Sequence, residues 1–445
     1  MMTIWKQIVP ALVGLLVLPT PCHAATLQAG VAKRDVTPPI GGRLYGYGAR
    51  GDNVSTGVHD PLYAKAIVLS DGSTKLAIVT LDLGSMPAEN TAHIRDAIKQ
   101  KSNVQHVMLV TSHTHSSPSF VADFPSADDP WIPQMEQQII AAVLEANRNL
   151  AAATIGTGWG RVEEGHNRRL VNEDGSVTMM WGNRDRKSTT PVDHSLGIIA
   201  VNGADGAPLA TLVNFACHPV VLGPENLEIS ADWPGAMMAF LEDRIGGQAM
   251  FVQGAAGDIN PFWDKTAPKD GAFEQVEKMG DAVAREAQRV RTEIQQWDDN
   301  TPLNVSNQRF VLELRWKLDD PNAKKSADPD FARILQYYLN GFEKEKHAEV
   351  NTILIGSQIA LATFPGEFFV EHGLRLKSSC IIPNTFFVGY TNGAVAYFPT
   401  IEAAAQGGYG ATSATVVKVG TGEMLVSRAL IRLHEQAGRL KSLPD

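Results

Sequence analysis

Apolar residues fall in short blocks separated by turn-forming polar residues, and the period within the blocks changes along the chain. Residues 64–69 and 76–81 are apolar and rich in strand formers, and Asp71-Gly72 between them predicts a hairpin. Residues 87–101 predict a helix, 107–111 a buried strand, and 132–150 a helix with apolar positions at helical spacing. Asp174-Gly175 marks a second hairpin, and residues 204–206 mark a third between strands 198–201 and 209–215. Asp232 followed by Pro234 is a helix start, since Asp caps free N–H groups and Pro tolerates the first turn. That helix runs from 236 to Gly246-Gly247. Beyond it come a strand at 250–253, a long helix at 273–296, a strand at 310–316, one long strand or a pair at 353–364, and helices at 367–377 and 423–440. Residues 317–328 are a polar interruption too short to divide two folding units, and no fixed-period repeat is present. Strands alternating with helices predict an α/β protein, a single large domain with a mixed sheet flanked by helices.

Composition agrees with a folded globular chain. Of 445 residues, 44% are hydrophobic and 20% charged. The 39 Lys and Arg against 48 Asp and Glu leave a formal charge of −9 with no basic stripe, which excludes nucleic acid as the main partner and leaves at most peripheral membrane contact. The amino terminus changes the picture more. Lys6, an apolar run at 8–18, Pro19 and Pro21, and Cys22-His23-Ala24 follow the layout of a secretory signal peptide cleaved after Ala24. The run is too short to span a bilayer as a mature helix. A secreted or periplasmic protein over residues 25–445 is expected. Its remaining cysteines, Cys217 and Cys380, can pair in an oxidising compartment but do not make a disulfide scaffold.

Standard catalytic signatures are missing: there is no Gly-x-Ser-x-Gly, no His-Glu-x-x-His and no phosphate loop. Residues 46–51, Gly-Tyr-Gly-Ala-Arg-Gly, match a dinucleotide glycine pattern, but no amphipathic helix follows, so a flexible turn is expected. The chemistry points to strand ends. The strand at 107–111 runs into Ser112-His113-Thr114-His115, and residues two apart in extended chain project to the same side. Strand 212–215 likewise delivers His218 before Pro219. The strand ending at Phe364 leads through Pro365-Gly366 to Glu367. Each has an ordinary reading: strand-end or core histidines, and a glutamate placed for the dipole of the helix it would start. Taken together they match a zinc site, since two His and one Glu leave a position for water at hydrolytic zinc, which lowers the pKa of that water to about 7.

These segments resemble the neutral, non-lysosomal ceramidases. Residues 111–116 resemble the family's His-Thr-His-Ser signature and 215–218 its second histidine segment. Residues 254–261 resemble its Gly-Asp-x-Ser-Pro loop, 365–368 its Pro-Gly-Glu-Phe segment, and Asn167-Arg168 its Asn-Arg pair. Asn392 to Tyr397, with the later Tyr409, keep the family's spacing of Asn and two tyrosines. The resemblance implies a zinc amidohydrolase that splits an N-acyl amide, as in ceramide, into fatty acid and base by zinc-activated water. It implies one catalytic zinc on His113, His218, Glu367 and Tyr397, with His115 as acid/base group and Arg168 and Tyr409 contacting the substrate. Asp258 is expected to orient a ligand histidine, and a second, structural divalent cation stays open. Two departures stand out. Asn260 replaces the loop serine; it can donate a hydrogen bond toward an oxyanion or substrate but cannot act as a nucleophile. The chain also ends soon after the helix at 423–440, where such ceramidases continue into a β-sandwich. A smaller amide or ester substrate, or a metal-containing binding module without catalysis, remain the alternatives.

Overall fold

The computed structural model describes residues 26–316, 346–412 and 414–441. The signal segment and the polar interruption at 317–328 lie outside them. An eight-stranded mixed sheet dominates. Its order is Gln248–Gln253, Pro208–Phe215, Ser195–Gly203, Ala151–Arg161, Gln28–Asp35, Tyr63–Ser70, Lys75–Leu81 and His106–Thr111. Pairing is antiparallel except between the two strands at each end.

Both faces are covered, which is why these strands read as nearly continuous apolar runs. In Tyr63–Ser70, small Ala64, Ala66 and Val68 face out beneath helices Ala88–Lys101 and Trp131–Arg148, while Ile67 and Leu69 face in. At the other end, Val213, Phe215 and Phe251 pack under helices Trp233–Ile245 and Ala272–Thr292. The inner face holds a second sheet, ordered Leu303–Leu312, Lys346–Ile355, Ile359–Thr363 and Asn384–Val388. Helices Val370–Ser379 and Thr421–Gln436 close its far side. The expected α/β architecture with a large mixed sheet flanked by helices is present, and a second sheet packs face to face on the first.

Most predicted elements are present within a few residues, the pair allowed at 353–364 among them, and two differ. The strand expected at 310–316 is Leu303–Leu312, at the edge of the second sheet. Its polar Asn304, Ser306, Asn307 and Gln308 hide it from an apolar pattern because that edge is half exposed. The long apolar run is two strands, Lys346–Ile355 and Ile359–Thr363, paired antiparallel. Glu367 does not open a helix: it lies in the short strand Glu367–Phe368, and the helix begins at Val370. Cys217 and Cys380 are unpaired. Among the described residues no helix is long and apolar enough to cross a membrane.

The large sheet curls until its two edges approach. The segment 389–392, which continues from Asn384–Val388, fills the gap: Gly389 N donates to Gln253 O (3.0 Å) on one edge, and Thr111 N to Tyr390 O (3.1 Å) on the other. Asn392, at φ 60°, adds its own amide: Oδ1 accepts from Leu109 N at 2.8 Å and Nδ2 donates to Glu349 at 3.0 Å. Its loss leaves buried polar groups unpaired, each worth about 1–3 kcal/mol. Asn392→Ala should therefore lower unfolding free energy by about 3 kcal/mol in urea titration, and a loss under about 0.5 kcal/mol would show that this plug is not structural.

Candidate metal centre

The curl brings residues that follow one edge strand and the strand next to the opposite edge into one place. His113 and His218 follow the strands His106–Thr111 and Pro208–Phe215, yet their ring centroids are 5.0 Å apart. His115 joins them, its ring 4.9 Å from His113 and 6.0 Å from His218. The ligating nitrogens of the three lie within 4.8 Å of one another, a group that can hold a metal ion. Glu367 Oε2 sits 3.2 Å from His218 Nε2 and 3.4 Å from His113 Nε2. Tyr397 is the register partner of Glu367 in the parallel pair with Tyr397–Phe398, which places the two side by side.

Gln253, fully buried at the end of the opposite edge strand, ties the two histidine turns together. Its Nε2 donates to Ser112 O (3.0 Å) and Cys217 O (2.9 Å), and its Oε1 accepts from Cys217 N (3.3 Å). One amide thus spans the residues directly before His113 and His218. His113 itself adopts φ 69°, a left-handed conformation that turns its ring back toward the cavity.

The ring environments separate the histidines by role. His113 Nδ1 lies 2.6 Å from Gly84 O and His218 Nδ1 3.1 Å from Ile259 O, so each proton is held on Nδ1 and each Nε2 presents a lone pair inward. Burial, with Arg168 and His113 nearby, holds the His218 pKa down to about 4 despite Glu367. Two imidazole lone pairs facing a carboxylate oxygen repel unless a cation lies among them, so the donor set fits a divalent metal ion. His115 differs. Its Nε2 is 3.3 Å from His113 Nε2, but its buried Nδ1 has no hydrogen-bond partner and faces Gly46, where a Cβ would come within 2.3 Å. Metal-ligating histidines almost always donate their other N–H, and His115 does not.

Arg168 is buried behind the tyrosines, donating to Tyr397 Oη (3.2 Å), Gly257 O (2.6 Å) and Asn260 Oδ1 (3.2 Å). Tyr409 packs edge-on to Tyr397 at 5.5 Å. Asn260 is also fully buried, its Nδ2 given to Asp264 at 2.9 Å, so both ends of its amide are engaged within the protein. Asp258 does not hold a histidine: it accepts from Asn167 Nδ2 (2.7 Å) and Val370 N (2.8 Å), joining the Asn-Arg segment to a helix start.

A cavity of about 520 Å³ opens onto His113, His115, Glu367, Tyr397 and Tyr409, within the roughly 300–1,000 Å³ usual for small-molecule sites. Its outer wall is the glycine-rich segment 43–53, where Tyr45 and Tyr47 stand against the His115 ring at 5.6 and 4.8 Å. In the sequence, residues 46–51 of that segment read as a flexible turn, and nothing there marks Tyr45 or Tyr47 as part of a site. Gln253 had a signal: like the histidines, it is one polar residue at the carboxyl end of an apolar strand.

Comparison with known proteins agrees with this geometry. A family model described as neutral/alkaline non-lysosomal ceramidase, N-terminal, matches residues 27–277. A solved structure described as a ceramidase complexed with C2 superposes with TM-score 0.74 at 18% identity, covering 95% of this chain and 77% of that one. The neutral ceramidase from Pseudomonas aeruginosa superposes with TM-score 0.72 at 18% identity and the same coverages. At that identity the two structures show the fold.

If the Gln253 amide sets the histidine spacing, Gln253→Leu should weaken zinc binding at least about tenfold in competition with a chelator while the far-UV circular dichroism is kept. Unchanged zinc affinity would remove Gln253 from the site.

Proposed function

The chain belongs to the neutral/alkaline non-lysosomal ceramidase family, and from that premise we propose that it is an exported, zinc-dependent amidohydrolase that splits an N-acyl amide into a carboxylate and an amine. The observation that carries this reading is the meeting of His113, His218 and Glu367 around inward lone pairs beside an open cavity. His113, His218, Glu367 and Tyr397 would hold the zinc. Zinc bound there supplies Lewis acidity and makes a water molecule acidic enough to be a nucleophile near neutral pH. A structural zinc site is usually closed by Cys and His, whereas Glu and Tyr on a cavity wall favour catalysis over a binding module.

The remaining roles follow from contacts. His115 faces the cavity with Nε2 and is not locked by a carbonyl on Nδ1, so it can take up a proton and return it to the leaving amine. Arg168 holds the Tyr397 oxygen in place and adds positive charge behind it. Tyr409 stands on the wall where the polar end of a substrate would lie. Asn260 holds Arg168 rather than attacking, which leaves water as the nucleophile.

A second reading has its own support. Ceramide carries long alkyl chains, but among the described residues named on the cavity wall the one aliphatic side chain is Leu44. A shorter, more polar amide fits that wall better.

His113→Ala and His218→Ala should both lose stoichiometric zinc and turnover; retention of both would refute the site. His115→Ala should keep zinc but lower kcat by about 10²–10⁴-fold, and zinc loss of the same extent as in His113→Ala would instead make it a ligand. A burst of acyl-enzyme in rapid mixing would sink the water mechanism.

A further inference from the structure

The protein as a whole is acidic, at −9, but the lining of its cavity is not. Arg43 and Arg50 line it with Glu367, and behind its wall stand Arg168, bonded to the lining Tyr397, and Lys265, near the lining Tyr47; Arg43 is paired with Asp52 and Lys265 with Asp264. Arg50 and Arg168 spend their donors on uncharged oxygens: Tyr45 O, His115 O and Asn226 O for Arg50, and Gly257 O, Asn260 Oδ1 and Tyr397 Oη for Arg168. Among the described residues neither has an ion-pair partner, so their charge is not cancelled locally. A cleft of one sign in a protein of the other concentrates ligands of opposite charge.

Lys265 gives this field a point of contact. It sits at φ 53°, a conformation a lysine rarely adopts without cause. The turn sets its ammonium 4.2 Å over the Trp181 ring and 5.9 Å from that of Tyr47. Trp181 in turn stands edge-on to Tyr409 at 5.3 Å and lies under Arg168 at 5.2 Å. One ammonium proton goes to Asp264 Oδ2 at 2.6 Å, and that oxygen also accepts from Asn260. The Lys265 side chain remains 31% exposed, so further donors are open to a ligand beside the cavity-lining Tyr47 and Tyr409.

We propose that Lys265 and Trp181, backed by Arg168, form a subsite for a carboxylate on the polar end of the substrate, making the preferred substrate class N-acyl amino acids rather than neutral N-acyl amino alcohols. The proposal rests on the amidohydrolase reading for the scissile bond but not for the binding itself. An ammonium and a carboxylate make a charge-assisted hydrogen bond, and the indole face under the ammonium fixes its position.

N-hexanoylglycine and N-hexanoylethanolamine differ at the polar end and share the acyl chain. Binding of each to the zinc-loaded full-length protein by calorimetry, and turnover of each, test the subsite. Wild type should bind the glycine amide at least about tenfold more tightly, and the preference should shrink with rising ionic strength. Lys265→Gln should abolish most of the preference through Kd and KM, and Lys265→Arg should restore it. Equal binding of the two amides by wild type, or a preference that survives Lys265→Gln because zinc alone holds the carboxylate, overturns the subsite and leaves the hydrolytic reading standing. Tight, Lys265-dependent binding of the glycine amide without cleavage upholds the subsite and overturns the hydrolytic reading.

Discussion

The centre depends on one constraint: an edge strand of a large sheet and the strand next to the opposite edge must end at the same point. Sheet twist alone curls eight strands but does not set the final separation of their edges. Here the last interval is closed by polar groups. The Gln253 amide reaches from one edge to Ser112 and Cys217, and the 389–392 segment bonds both edges at once. These bonds are buried, so breaking them leaves donors and acceptors with no water to replace the partner, which makes the closed arrangement stiff as well as stable. A metal centre needs such stiffness, because ligands from distant parts of a chain hold an ion well only when the backbone has already placed them.

The same closure accounts for strain near the site. Positive φ occurs at His113, Tyr390, Asn392 and Ala396, all within the turns that meet at the sheet gap. Non-glycine residues take that conformation at a cost of about 1–3 kcal/mol each, and keep it only where surrounding contacts outweigh the cost. The four-stranded sheet supplies those contacts. It packs its inward apolar residues into the concave face of the larger sheet, and its last strand leads directly into the strained segment. The second sheet therefore does more than fill a core: it delivers Tyr390 to the face of His113, at 4.4 Å, and Glu367 to the two Nε2 atoms.

Much of this was legible in the sequence because the strands carry their own signal. Apolar runs bounded by turns gave the large sheet and its outer helices, and polar residues at strand ends pointed to His113, His218 and Glu367. Three things were not legible. The half-exposed strand Leu303–Leu312 has too few apolar positions to register, which hid the face-to-face stacking of two sheets. Glu367 was expected to open a helix, whereas parallel pairing with Tyr397 sets its position, and such a pair joins residues thirty apart that no local pattern links. Residues 46–51 read as a turn because their place in the site lies in what they pack against. Gly46 lets the chain touch the His115 ring only because no Cβ intervenes.

That contact bears on how the proposed zinc mechanism would divide labour among three neighbouring imidazoles. Carbonyls hold the Nδ1 protons of His113 and His218, so these rings cannot give up that proton without losing a buried hydrogen bond. Their Nε2 lone pairs are committed inward, suited to a cation and unsuited to proton shuttling. His115 lies one turn further along the same segment, covered by Gly46 and flanked by Tyr45 and Tyr47, with no carbonyl on its Nδ1. Burial and the neighbouring histidines push its pKa well below the ordinary value, which keeps the ring neutral. On the proposed reading, residues two apart in sequence take opposite duties from a single difference in what faces Nδ1, a main-chain carbonyl in one case and a bare glycine in the other.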